Sequence, residues 1–507
     1  MALARTYSAA LTGAEGHLVE VEADITGGVP ATIVTGLPDT ALREARDRIR
    51  AAIINSGRDW PRRKITISLS PADLPKRGSG FDLAIAVALL AADEAIPPAA
   101  LDGIVFLAEL GLDGRLRPVS GVLPAAVAAA VGGKTTMVVA AENKAEAGLV
   151  PGVRVVGAQN LAQVTDWLRD GTPPTADPPS PPGPPGPGQR EPDFRDYPGT
   201  ARARRAAEIC AVGGHHLSLL GPPGAGKTML AERLPGILPG LGQIDALEVT
   251  SLHSAAGLLP GDRGRVVRPP FQHPHRTCPV PAMTGGGSPI RPGAASLAHR
   301  GVMLLEDAPE FSRQVLDSLR GPLETGQVTV TRSYLRATFP AKFLLIITAR
   351  PCPCGAADDR ACGCNPTQRL RYLGRLSGPL LDRIDVKIRL DAASPGEIRQ
   401  RLRSAESSAV IAERVADARE RSARRLEGTP WRLNAEIPGA ELRRSYVPEA
   451  GAMREVEHAM DRNRLSPRGA DKILRVAWTM ADLAGRDRPG KGEVHAALQL
   501  FLGEERA

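Results

Sequence analysis

The stretch Gly221-Pro222-Pro223-Gly224-Ala225-Gly226-Lys227-Thr228 constrains this chain more than any other. It fits G-x-x-x-x-G-K-[ST], the phosphate-binding loop of nucleotide hydrolases. The apolar run Leu217-Ser-Leu-Leu220 before it predicts a short buried parallel strand, and Met229-Leu-Ala-Glu-Arg-Leu234 after it predicts the opening of a helix. The glycines let the backbone turn sharply enough for its N–H groups to face phosphate oxygens at the positive end of that helix. Lys227 is spaced to reach the β- and γ-phosphates, and Thr228 to offer its hydroxyl to Mg²⁺. Such a strand–loop–helix unit predicts an α/β fold that binds a nucleoside triphosphate with Mg²⁺.

At 507 residues the chain has room for two to four domains, each with its own core. Aromatics make up only 3% of it, which argues against extended base-stacking platforms, while the net charge of +8 is compatible with a polyanionic partner. No apolar run reaches membrane-spanning length, the nearest being Leu83 to Ala92, and the N-terminus lacks a signal-peptide pattern. Four of the six cysteines crowd between Cys352 and Cys364, a spacing that suits a metal knuckle better than a disulfide framework. Together these features predict a cytoplasmic protein with no membrane partner.

Read in order, residues 1–168 alternate strand and helix signals and predict an α+β domain without a catalytic constellation. Val19–Ile25, Lys64–Leu69, Ile104–Leu110 and Thr136–Ala140 read as strands; Thr40–Ile54 reads as an amphipathic helix and Phe81–Ala92 as a buried one. Residues 169–197 form a linker with nine prolines between Pro173 and Pro187, an extended spacer that predicts independent domain motion. The nucleotide domain spans 198–392. Within it Gly301-Val-Met-Leu-Leu-Glu306-Asp307 predicts a buried strand ending in two carboxylates, where a Walker B motif belongs at the carboxyl edge of a parallel sheet. Lys342–Thr348 predicts a further apolar strand. Residues 393–507 are charged and helical throughout and predict a lid.

Two further stretches carry chemistry. Cys352-x-Cys354 and Cys362-x-Cys364 place four thiols within thirteen positions, matching a closed tetrahedral Zn²⁺ site of structural type. The basic insert from Arg263 to Arg276, with His273 and His275, reads either as a loop that tracks a phosphate backbone in a ring's pore or as a solvated loop without ligand.

These residues resemble the magnesium-chelatase-like AAA+ ATPases of the ComM/YifB family. The resemblance runs through Gly36-Leu-Pro38, Glu44–Ile49, Ala52–Gly57 and Ser70–Lys76 in the front domain. In the nucleotide domain it includes the phosphate loop, Ser296–His299, Pro351–Gly355 and Ser377–Asp385, and in the lid Lys472–Ala477 and Ala481–Leu483. It implies an α/β multidomain protein with three folded parts: a domain like the ribosomal S5/Lon-protease C-terminal fold, an AAA+ core with a parallel sheet, and a helical lid. It implies a homo-hexameric ring and an ATP-driven DNA helicase or branch-migration factor in natural transformation or recombination, acting on single-stranded or branched DNA. The Lon likeness carries no protease chemistry, because the nucleophile position falls nearest Gly80 and Ser79 reads as a turn residue.

Carried over, Arg383 is the arginine finger directed at a neighbouring subunit's γ-phosphate, and Arg468 the sensor-2 arginine, with Arg475 a competitor for that role. Two departures stand out. Where the family ends its Walker B strand in Asp-Glu, this chain reads Glu306-Asp307, putting Glu306 in the Mg²⁺-supporting place and Asp307 in the water-activating one. Aspartate is one methylene shorter, which draws its carboxylate back by about 1.5 Å, and a misplacement of about 1 Å can cost on the order of a hundredfold in rate. The sensor-1 position, asparagine in relatives, is Arg350. These departures keep open a poorly hydrolysing nucleotide-binding scaffold as an alternative to the helicase; a magnesium-chelatase-like motor that remodels a partner protein is a second alternative.

Overall fold

The structure, a computed structural model, describes residues 2–36, 40–76, 78–174, 191–259, 264–288, 290–332, 335–356, 362–376 and 378–503. The proline-rich centre of the linker, and Leu37, Pro38, Arg263 and Ser377 of the stretches named above, lie outside the described residues.

In the strand Glu15–Thr26 every second residue from Val19 to Ile25 is buried, as period-two alternation requires of a sheet covered on one face. It pairs antiparallel along its length with Ala2–Thr12, and the two anchor a mixed seven-stranded sheet. Across that sheet the strands run 31–35, 64–70, 15–26, 2–12, 104–107, 136–140 and 154–158. The first strand, Ala-Leu-Ala-Arg-Thr-Tyr-Ser-Ala-Ala-Leu-Thr, went unread in the sequence because alanine has little strand preference; its partner imposes the conformation. Helix Asp82–Ala92 is buried at every position, consistent with its all-round apolar surface.

The nucleotide domain is built on a five-stranded sheet ordered 271–272, 302–305, 344–349, 217–220 and 386–389, with every pairing parallel. Parallel strands align their carboxyl ends along one edge, so the loops after Leu220, Leu305 and Ala349 converge there. The lid begins at Pro395–Arg403, whose capping box uses Ser394 and Glu397, and closes with Lys491–Leu502. Its long helix Pro467–Ala484 packs on Ala201–Gly213 of the core. There the buried Lys472 ammonium donates to Ile384 O at 3.2 Å and pairs with Asp385 at 3.1 Å.

The front and nucleotide domains touch directly. Gly121 N–H donates to Ser254 O at 3.0 Å, Ser254 Oγ donates to Glu146, and Ala14 packs against the cluster of Leu252, Ala337 and Phe339. That junction works against the independent motion anticipated from the linker's composition.

Candidate nucleotide site

The phosphate loop leaves strand Leu217–Leu220 and enters helix Lys227–Arg233. Gly221 passes so close to the neighbouring strand that a Cβ there would lie 2.3 Å from Leu390 O. Gly224 and Gly226 take φ of +77° and +81°, the left-handed conformation that side chains disfavour. Lys227 folds back into the loop, donating 2.8 Å hydrogen bonds to the carbonyls of Gly221 and Pro222. Its ammonium is thereby held inside the cradle a phosphate would fill, and burial pulls its pKa below the usual lysine range.

Both Walker B carboxylates stand at this edge, and they differ in their contacts. Glu306 accepts from the Thr228 hydroxyl on one oxygen and has His273 Nε2 3.3 Å from the other. Asp307 sits at φ +48°, its N–H donating to Thr348 Oγ1 at 2.9 Å. Its carboxylate is 3.4 Å from Arg350 Nε, and Arg350 also donates to Glu310 at 3.1 Å. The shortened side chain therefore does more than sit back from the phosphates: it is engaged by the arginine at the sensor-1 position. Thr228, Glu306 and the loop's N–H groups suit Mg²⁺ and a triphosphate, since a hydroxyl and a carboxylate are hard oxygen donors.

The cysteine cluster abuts the loop. The four Sγ atoms of Cys352, Cys354, Cys362 and Cys364 all lie within 4.8 Å of one another, with those of Cys352, Cys354 and Cys362 at 3.1, 3.4 and 3.5 Å from each other. A tetrahedron with Zn–S bonds of about 2.3 Å has edges near 3.8 Å, so small adjustments would let the four thiolates enclose one ion. Arg350 Nη1 lies 3.4 Å from Pro353 O as donor, and a Cβ on Gly355 would lie 3.2 Å from Pro223 Cγ. The knuckle thus packs against both the phosphate loop and the arginine that engages Asp307.

Comparison with known proteins matches three family descriptions in sequence along the chain. Subunit ChlI of Mg-chelatase matches residues 21–143, magnesium chelatase subunit ChlI matches 193–398, and the ChlI C-terminal family matches 405–500. An uncharacterized protein of Mycobacterium tuberculosis is 48% identical over 504 residues, 98% of each chain. YifB of Escherichia coli is 40% identical over 490 residues, 96% of this chain and 94% of its own. Competence protein ComM of Haemophilus influenzae is 37% identical over 490 residues, 96% and 95%. The chain belongs to the magnesium-chelatase-like ComM/YifB family. This family membership and the phosphate loop on a parallel sheet make it an AAA+-type ATPase by class.

The family's arginine-finger position lies away from the chain's own phosphate loop. Arg383 precedes the strand Val386–Arg389, which runs parallel to Leu217–Leu220, so about 13 Å of sheet separates the two edges. Its guanidinium pairs with Glu324, and burial, followed by the charges of Arg468 and Arg320, pulls its pKa down. Arg468 is exposed at the start of helix Pro467–Ala484. Arg475 donates to Ile437 O at 2.7 Å within the lid.

The basic insert is mostly exposed, with a few of its residues in contacts. Phe271–Gln272 forms the edge strand of the sheet, Arg268 pairs with Glu191, and His275 Nδ1 lies 2.7 Å from Thr277 Oγ1. Sequence reasoning missed His273 as a site residue and also missed the hairpin Gln327–Arg332/Leu335–Pro340. The alternation Val328-Thr-Val-Thr331 was the available signal for the hairpin; for His273 there was none, because its partner is distant in sequence.

Proposed function

We propose that the chain is the subunit of a cytoplasmic, hexameric AAA+ motor that hydrolyses Mg·ATP to move single-stranded or branched DNA, as a helicase or branch-migration factor. The observation that carries the ring is the position of Arg383. With its own phosphates at the opposite edge of the sheet, a γ-phosphate within its reach would have to belong to another copy. In this reading Lys227 neutralises the β/γ-phosphates, and Thr228 and Glu306 hold the metal. Asp307 orients the attacking water, and Arg468 joins Arg383 at the neighbour's nucleotide. The four cysteines hold a structural Zn²⁺ that shapes the loop from outside and takes no part in the chemistry.

DNA as the track is supported by the competence protein among the relatives. A basic surface is available on Arg291, Arg332 and Arg336, all exposed, with Arg332 anchored to Gly287 O at 3.0 Å. Such arginines follow phosphates irrespective of sequence. The deciding measurement is the ATPase rate of the full chain with and without branched DNA. Strong stimulation supports the helicase, and an active ATPase indifferent to DNA favours the protein-remodelling motor. The Asp307–Arg350 pair specifically favours a slow-hydrolysing scaffold, for which tight ATP binding with negligible turnover is the expected result.

A further inference from the structure

His273 lies outside every motif that defines the site, yet it is delivered to the site by a chain of close fits. Gly301 allows the segment ahead of it to approach, since a Cβ at Gly301 would fall 2.0 Å from Pro270 O. Val302 N–H then bonds that carbonyl at 2.8 Å, and Phe271 and Gln272 pair with Val302 and Met303. Phe271 packs against the core beneath the sheet, with its ring 6.4 Å from the imidazole. The chain emerges at the carboxyl edge with His273 Nε2 3.3 Å from Glu306 Oε2. His275, two residues on, is exposed and turned to Thr277.

Because the Thr228 hydroxyl donates to Oε1 and His273 Nε2 lies 3.3 Å from Oε2, both oxygens of Glu306 have a close polar neighbour. We propose that His273 is a positioning residue for the nucleotide's divalent cation, orienting Glu306 so that the carboxylate and the Thr228 hydroxyl face one ion. The proposal rests on the ATPase reading of the same site. Outer-sphere partners of this kind typically alter metal affinity by about 10- to 100-fold when removed. With a neighbour on one oxygen alone, Glu306 without His273 would hold the ion more weakly while the phosphate loop stays intact.

The test titrates Mg²⁺ into full-length protein with a fluorescent, non-hydrolysable ATP analogue. His273→Ala should raise the half-maximal Mg²⁺ concentration about tenfold, with nucleotide affinity in chelator unchanged. His273→Gln, whose amide can donate to Glu306, should recover most of the loss, and His275→Ala should behave as wild type. Equal Mg²⁺ dependence in His273→Ala and wild type would overturn the proposal while leaving the ATPase reading intact. Absence of Mg²⁺-dependent analogue binding in wild type would overturn both. A loss in His273→Ala that persists in chelator, or that His273→Gln does not recover, would mark a merely structural role and also overturn it.

Discussion

The front domain and the nucleotide domain each hold a compact group of charges, and the two groups are built to opposite ends. In the front domain the Asp82 side chain is completely buried, clamped by Arg48 at 3.0 and 3.2 Å and by the Leu110 N–H at 3.3 Å. Lys76, also fully buried, donates to Pro71 O, while Ser79 donates to Glu109, so the lysine and serine point to different partners. The buried Asp82 carboxylate is thus matched by a guanidinium and a backbone N–H inside the fold. In the nucleotide domain the Glu306 and Asp307 side chains keep 43% and 26% of their surface exposed, and among the described residues the ammonium of Lys227 donates to carbonyls of its own loop. A phosphate can offer that ammonium more than two neutral carbonyls do. Saturated polar contacts mark structure; contacts a ligand can replace mark chemistry.

That contrast can be broken at several points. Lys227→Ala should have the largest effect, weakening ATP-analogue binding about a hundredfold or more through the loss of charge-assisted contacts, with the fold intact by circular dichroism. Arg48→Ala should leave nucleotide binding alone and destabilise the front domain by about 3–5 kcal/mol, because it strands a buried carboxylate. Hydrogen exchange localised to residues 82–110 would check it.

The pH dependence sharpens the same point. Burial pushes Asp82 up to about 6, against the opposing pull of Arg48. The native state therefore binds more protons than the unfolded chain between about pH 4 and 6. This group's contribution to stability is complete below about pH 4 and is lost as pH rises through about 6. Arg48 favours the ionised form, so the Arg48→Ala penalty should be greatest above pH 6 and shrink towards pH 4.

Asp307→Glu should produce the smallest change, and of opposite sign. Restoring the missing methylene carries the carboxylate towards the phosphates and should raise steady-state turnover by up to some tens of fold. A fall in rate would show that the Arg350 pair is required for hydrolysis.

Much of the architecture was legible because it rests on local pattern. The phosphate loop, the apolar carboxylate strand, the all-apolar helix and the four closely spaced cysteines are each contiguous, so periodicity and spacing reveal them. The strand Ala2–Thr12 and the edge strand Phe271–Gln272 were not legible, since one is weakly patterned and the other is two residues long. The partner of Asp307 was equally hidden: Arg350 stood out as a departure at the sensor-1 position, but its ion pair spans two strands.

By itself, then, the sequence determined that this chain carries a nucleotide loop, two transposed carboxylates and a cysteine knuckle, because each is written in neighbouring residues. Only the tertiary structure decided that Arg350 engages Asp307, that His273 faces Glu306, and that the knuckle packs against Pro223. Those contacts join residues 33 to 132 positions apart or depend on sheet register, and nothing in local spacing encodes which strand ends will meet.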